Sequence, residues 1–265
     1  MSKAYGLISR FSSDVDFAIL TDGLSQNQLK KLVARIGHDS TIGLEENNVV
    51  GSTIKNNRYR KTYHSYRSVL VNPDPSFSFL GSHVIVEINT YANPYPYCRR
   101  EIKSFMTEMM QRRGLYDVIK KYDMTPYTLN VLDKRQTLCE KAVSLLRYSF
   151  SDNPKDGIAS KVRHFYDIHF LLNDRECVDY LSKGFISDLT SLISHDKMEF
   201  DRPPKWRDSP ISSSILLTDF YSVWDEISTI FKAELGALSY RELPASDDVA
   251  ASTKKLFDII AEIYT

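Results

Sequence analysis

Nowhere in its 265 residues does the chain hold an unbroken apolar run of the length a bilayer-spanning helix needs, about 18 residues or more. No membrane span is therefore expected. The opening Met1-Ser2-Lys3-Ala4-Tyr5-Gly6 has none of the apolar core of a signal peptide. Cysteine is scarce: Cys98, Cys139 and Cys177 are widely spaced, odd in number and without a CxxC pair. That usage reads as free thiols in a reducing compartment, the cytoplasm. There is no Walker loop and no GxGxxG turn. His164 and His169 are five residues apart with no cysteine beside them, the wrong spacing for two zinc ligands on one helical face. No local motif supports a Ser-His-Asp or Cys-His nucleophile. Charge of one sign is lacking too: 34 Lys and Arg balance 34 Asp and Glu. No global field draws the chain onto nucleic acid, so any such contact must come from a local patch.

What is present suits one large or two modest domains, with 42% apolar residues for the cores. Residues Val15 to Leu20 alternate, with Val15, Phe17 and Ile19 on one side and Asp14, Asp16 and Ala18 on the other, the pattern of a half-buried strand. Asp22-Gly23 turns the chain. Ser25 and Gln28 then form a capping box for a helix with the stripe Leu29, Leu32, Val33 and Ile36, which Gly37 is expected to end. Strand-like stretches follow at Asn48 to Tyr59 and Thr62 to Val71, the second broken by Pro73-Asp74-Pro75. His83 to Tyr91 is another strand, with Val84, Val86 and Ile88 opposite Ile85, Glu87 and Asn89. Asn93-Pro94-Tyr95-Pro96 interrupts the sheet, and a helix is expected from about Cys98. From Asp133 onward the periodicity is helical, with stripes at Leu138/Ala142/Leu145/Leu146, Phe165/Ile168/His169/Leu172, Phe220/Val223/Trp224/Ile227/Phe231 and Leu256/Ile259/Ile260/Ile263. Asp201 to Ser214, rich in proline, serine and charge, reads as a loop.

Four features carry potential chemistry. Asp14 and Asp16, two apart on a strand, project to the same side; such a pair suits a hard divalent cation holding phosphate oxygens, or else is a solvated rim. Glu87, mid-strand between Val86 and Ile88, offers a third carboxylate if its strand lies near. Lys141 sits beside the Leu138/Leu145 stripe, where it either reaches a phosphate in a cleft or snorkels from the edge of a core. Arg163 and Asp167, four apart on a face away from Phe165, read either as a cleft lining or as an exposed ion pair of about 0.3–0.5 kcal/mol. Lys55 to Arg67 interleaves cations with tyrosines. It is either a nucleic-acid contact or a solvated hairpin.

Taken in order, these segments resemble a known family. Tyr5-Gly6-Leu7-Ile8-Ser9-Arg10-Phe11-Ser12-Ser13-Asp14-Val15-Asp16-Phe17 is similar to the metal-binding segment of AbiEii-type nucleotidyltransferases, toxins of bacterial toxin–antitoxin and abortive-infection systems. Val86 to Asn89, Val131 to Lys141 and Lys161 to Ile168 agree in order, so the similarity runs to about Leu172. The resemblance implies an α+β protein: a polymerase-β-like nucleotidyltransferase domain with a mixed sheet (residues 1–128), followed by a C-terminal helical bundle domain (residues 129–265). It implies Asp14 and Asp16 as metal-binding catalytic residues with Glu87 as third carboxylate, Lys141 near the nucleotide phosphates, and Asp167 as the late acid needed for activity. Ser12, Arg10, Arg163, Lys55, Arg58 and Arg60 are the candidate substrate contacts. The implied cofactor is Mg²⁺ or Mn²⁺, the substrate an NTP, and the acceptor RNA such as a tRNA 3′ end. A cognate antitoxin encoded nearby is the expected partner, with no membrane association. Members carry a Gly-Gly-Ser/Thr turn just ahead of the residues matching Ser2-Lys3-Ala4-Tyr5, whose N–H groups would hold the triphosphate. Met1 falls after that turn, so the expectation is a start assigned too late or a native truncation that weakens NTP binding. The alternative function is then a non-catalytic nucleotide-, RNA- or partner-binding protein.

Overall fold

A computed structural model describes residues 1–12, 14–67 and 83–264. The chain divides into two compact units. One is Arg10–Pro94 with Ala237–Tyr240; the other is Met1–Ser9, Tyr95–Gly236 and Arg241–Thr265. It begins with a single turn, α1 (Ser2–Tyr5), closed by Gly6 at φ 66°, a left-handed conformation that glycine adopts without a Cβ penalty.

The first unit is a mixed sheet backed by one helix. Its elements are β1 (Asp14–Ala18), α2 (Gln26–Asp39), β2 (Glu45–Asn47), β3 (Ile54–Lys55), β4 (Tyr59–Ser65) and β5 (His83–Asn89). The strand order is β1-β5-β4-β2, with β3 also on β4. β1 lies parallel to β5, while β4 is antiparallel to β5, β2 and β3. Strand alternation does the sorting: Ile19, Val86 and Ile88 pack with Leu29 and Val33 of α2, flanked by Phe17, Val84, Leu32 and Ile36. Val15, expected on the same covered side, is 45% exposed because that core lies toward the other end of β1. The Ser25–Gln28 capping box forms as expected. Gly37 does not end α2, which continues to Asp39 with Ser40 as its cap. Gly37 instead lets the helix lie close to the sheet: a Cβ there would meet Arg60 Nε at 3.0 Å and Ile88 Cδ1 at 3.4 Å. The expected strand over 48–59 shrinks to the two-residue β3, because the chain turns at 50–52; β2 had no clear alternation to announce it. The end of the second expected stretch, with Pro73 to Pro75, lies outside the described residues.

The second unit adds β6 (Tyr97–Ile102), α3 (Phe105–Arg112), α4 (Tyr116–Lys121) and β7 (Tyr127–Leu132), and then α5 (Lys134–Tyr148), α6 (Pro154–Ala159), α7 (Arg163–Leu172), α8 (Arg175–Leu181), α9 (Phe185–Glu199), α10 (Ile215–Thr218), α11 (Phe220–Leu238) and α12 (Ser246–Tyr264). The helix expected from Cys98 is the strand β6, paired antiparallel with β7 along its whole length. The helix begins only where Ser104 caps it by accepting from Thr107 N at 3.0 Å. Asp133 caps α5 through Arg135 N at 2.9 Å. Leu138, Ala142, Leu145 and Leu146 of α5 meet Phe165 and Ile168 of α7, Phe220, Trp224 and Phe231 of α11, and Leu256 and Ile260 of α12 in one continuous core. A fully buried Leu or Phe contributes about 1.5–3 kcal/mol there. The segment 201–214 is irregular, as expected, but it drops Trp206 into the core. Compactness groups 95–128 with the helices. The reason is that β6 and β7 are one ribbon, and Asp133 N, at the α5 cap, bonds Pro96 O at 2.9 Å. The architecture is thus α+β, with a mixed sheet and a helical C-terminal region.

Candidate functional site

β1 and β5 are neighbours in parallel register, so Asp16 is the partner of Glu87 and Asp14 that of Ile85. Asp14, Asp16 and Glu87 therefore share the sheet face turned away from the α2 core. Lys61 of β4 stands opposite Glu87 on the other side. Both Glu87 oxygens are engaged: Lys61 Nζ lies 2.6 Å from Oε1, and Tyr59 Oη donates to Oε2 at 2.7 Å. Burial opposes the charge on Lys61, but the Glu87 hydrogen bond and charge, with Asp14 adding to them, carry its pKa above the usual lysine value. Burial, with Glu87 and more distantly Asp16, pushes the Tyr59 phenol well above its ordinary value, so it remains a donor. Ser12 Oγ donates to Asp14 Oδ1. Arg10 Nη1 donates to Phe11 O at 3.1 Å, and Arg10 bridges to Ser239 while Phe11 N bonds Leu238 O at 2.9 Å.

The donor set fits a hard divalent cation in its chemistry: two adjacent aspartates, oxygen ligands only. Among the described residues no group of three or more His, Cys, Asp or Glu side chains gathers around one point. Glu87 lies beside the aspartates but is held by Lys61 and Tyr59.

Lys141 and Asp167, flagged separately by sequence, meet in the helical unit. Lys141 Nζ is 2.7 Å from Asp167 Oδ2, with the two side chains 14% and 1% exposed. Asp167 is therefore not on an outer face with Arg163, as its spacing suggested; α7 is enclosed along Phe165, Tyr166, Asp167 and Ile168, because α5 and α12 both pack on it. Arg163 pairs instead with Glu234 of α11, Nε to Oε1 at 3.1 Å, partly in solvent.

The basic stretch from Lys55 to Arg67 does not form one face. Alternation along β4 sends Tyr59, Lys61 and Tyr63 to the acidic side, and Arg60, Thr62 and His64 toward α2, where Thr62 and His64 are buried. Lys55 pairs with Glu46, and Arg60 Nη2 lies 3.7 Å from the same carboxylate. Burial would raise the Glu46 pKa, but Lys55 and Arg60 outweigh it and hold the group below its usual range. Arg58 is exposed on the turn before β4, where its carbonyl accepts from Thr90 N at 3.0 Å. Tyr59 and Lys61, the partners of Glu87, were grouped by sequence with the basic stretch; the two-residue period was the signal that separates them. No disulfide forms: all three cysteines are free. Burial pushes the Cys139 and Cys177 thiols up to about 12, so both are packing groups rather than nucleophiles at neutral pH.

No helix among the described residues is long and apolar enough to cross a membrane. No curated protein and no solved structure matches the chain. A family model does: that of the nucleotidyl transferase AbiEii toxin of type IV toxin–antitoxin systems matches residues 1–213, well beyond the reach of the sequence motifs. With most of its length matched, and with the ordered DxD, acidic strand, lysine helix and late aspartate all present, the chain belongs to the AbiEii nucleotidyl transferase toxin family.

Proposed function

We propose that this chain transfers a nucleoside monophosphate from an NTP to a hydroxyl of RNA, such as a tRNA 3′ end, in the cytoplasm, restrained by a cognate antitoxin. The observation that carries the reading is the in-register neighbourhood of Asp14, Asp16 and Glu87 on one open sheet face. Asp14 and Asp16 would hold Mg²⁺ or Mn²⁺, which when bound supplies charge neutralisation and polarisation at the α-phosphate. Ser12 fixes one oxygen of Asp14. Tyr59 and Lys61 fix Glu87, so its charge lies beside Asp16 without closing on it. In the transfer, the acceptor oxygen bonds to the α-phosphorus, gives up its proton, and the bond to the bridging oxygen breaks to release pyrophosphate. Lys141 is the proposed phosphate cation, with Asp167 as the residue that holds its side chain in place. Arg10, Arg163, Lys55, Arg58 and Arg60 remain proposed contacts, the paired ones needing to exchange a carboxylate for a phosphate.

The test is transfer from NTPs labelled at the α-phosphate, with Mg²⁺ and tRNA, beside Asp14→Ala and Lys141→Ala. Label in RNA that is lost in both variants supports the reading. The competing reading, binding without turnover, draws on the two partners already occupying Glu87. It prevails if nucleotide binds the chain but no label moves.

A further inference from the structure

Within the stretch that sequence nominated for RNA contact, Lys55, Arg60 and Lys61 meet carboxylates in the structure. A different segment has the opposite character. Residues 95–132 hold seven Lys and Arg against four Asp and Glu, a net of +3 in a chain whose total is zero. Among the described residues, Arg99, Arg112, Arg113, Lys120 and Lys121 form no salt bridge with a carboxylate, and all five are exposed. The same segment carries six aromatic side chains, Tyr95, Tyr97, Phe105, Tyr116, Tyr122 and Tyr127, every one at least 40% exposed. They make up six of the nine exposed aromatics among the described residues. Elsewhere in the same unit Phe165, Phe185, Phe220 and Phe231 are core, at most 2% exposed, and Tyr221 is the exposed exception.

The backbone gives this segment a coherent form. β6 and β7 make a two-stranded ribbon, and α3 and α4 fill the connection between them, tied back by Thr107 Oγ1 donating to Met124 O at 2.8 Å. On one face of the ribbon α1 is docked: Tyr5 stacks under Arg100 and its hydroxyl lies 3.1 Å from Cys98 Sγ. The other face, with Tyr97, Arg99, Glu101, Thr128 and Asn130, is exposed. Tyr95 joins Tyr97 there, their ring centroids 5.6 Å apart. A two-stranded ribbon is only marginally stable by itself, and exposed tyrosines gain nothing by facing water. Unpaired cations interleaved with exposed rings match a polyanion that also offers flat bases: phosphates release counterions on meeting Lys and Arg, and bases stack on the rings. The segment also exposes Met106, Met109, Leu115 and Leu129, side chains a protein interface uses, but such interfaces are depleted in lysine, and the five cations without a carboxylate favour a polyanion.

We propose that the segment 95–132 is the RNA-docking surface of this protein, with Arg99, Arg112, Arg113, Lys120 and Lys121 on the phosphate backbone and Tyr95 and Tyr97 as stacking platforms. The proposal deepens the transferase reading by assigning the acceptor's docking surface, and it is tested on binding alone.

The experiment measures anisotropy of fluorescein-labelled tRNA against the full chain over a salt series. Arg112→Glu/Arg113→Glu/Lys120→Glu/Lys121→Glu is expected to weaken binding at least tenfold and to flatten the salt slope by about 0.7–0.9 for each phosphate no longer neutralised. Tyr95→Ala/Tyr97→Ala is expected to weaken it with the salt slope kept. Lys31→Glu, at an exposed cation of α2 outside the segment, is the control and is expected to change affinity less than threefold. Circular dichroism and a melting curve establish that each variant is folded; because all these side chains are exposed, folding should survive. Unchanged affinity in the folded charge-reversal variant overturns the proposal, as does absence of tRNA binding by the parent chain. Loss of antitoxin binding with tRNA binding intact also overturns it and assigns the surface to protein. Asp14→Asn is expected to retain tRNA affinity, so failure of the transferase reading and failure of the docking surface are read separately.

Discussion

Asp16 stands on an open strand face with another carboxylate as its register neighbour, whereas Asp167 is enclosed between helices and meets a lysine at 2.7 Å. The two settings impose opposite energetics. On the sheet face, like charges side by side are tolerated because water reaches them and Lys61 offsets Glu87; they add little to stability. In the helical core the two opposite charges compensate each other, since desolvating an ion costs several kcal/mol. An acidic cluster that does not help the fold has to be explained by what it binds. A buried pair contributes to both fold and chemistry, and the two contributions have to be separated by experiment.

The sharpest way to break the comparison is Lys141→Ala. It removes the lysine from the buried Asp167 and is expected to cost about 3–5 kcal/mol, measured by urea unfolding. Lys141→Met with Asp167→Leu removes both charges at similar volume and should recover most of that loss, while transfer activity stays absent. Stability regained without activity would separate the two contributions.

The sheet face should behave in the reverse manner. Asp14→Asn is expected to lower transfer by about 10²–10³-fold, the several kcal/mol that a cation contributes to the transition state, while shifting stability by no more than about 0.5 kcal/mol. A melting curve and the label-transfer assay on the same preparation check both halves. A large loss of stability in this variant would erase the distinction between the two regions.

Much of this contrast was legible in the sequence, and its gaps have physical causes. The DxD strand, the Ser25 capping box and the stripes of α5, α7 and α11 follow from periods of two and 3.6. That Glu87 neighbours Asp16 rests on strand order and register, which no local pattern encodes. Asp167 looked exposed because one face of α7 was assumed to be open to water, whereas α7 is enclosed by packing partners far along the chain. β6 looked like a helix start because its exposed polar residues have no clean alternation, a consequence of a ribbon whose sides are both largely open. The basic run near Lys61 looked like one patch because salt bridges are tertiary facts.

Gly37 tests whether the sheet unit, despite its open acidic face, has a core as demanding as the helical one. With Arg60 Nε 3.0 Å and Ile88 Cδ1 3.4 Å from where a Cβ would stand, Gly37→Leu is expected to cost about 1–3 kcal/mol through overpacking. Urea unfolding that shows no loss would mean α2 rides loosely on the sheet.

The smallest expected effect refines the comparison with an intermediate case. Lys134 and Asp174 pair at 2.7 Å near the surface of the helical unit, their side chains 9% and 16% exposed, with Glu176 Oε2 3.2 Å from the same amine. Burial would raise the Asp174 pKa, but the Lys134 hydrogen bond and the Cys177 amide outweigh it, so the folded state holds the carboxyl below its ordinary value. A carboxylate depressed in the folded state contributes stability above the unfolded pKa, about 3.9 for aspartate, and that contribution is lost as pH falls through the lower folded value. Asp174→Asn keeps the α8 cap acceptor and leaves Lys134 with Glu176, so its cost at neutral pH should be on the order of 1 kcal/mol. The parent and variant unfolding curves should converge as the pH drops below about 4. Curves that stay parallel well below that pH would show that the pair adds no charge-dependent stability and belongs, energetically, with the exposed acids of the sheet.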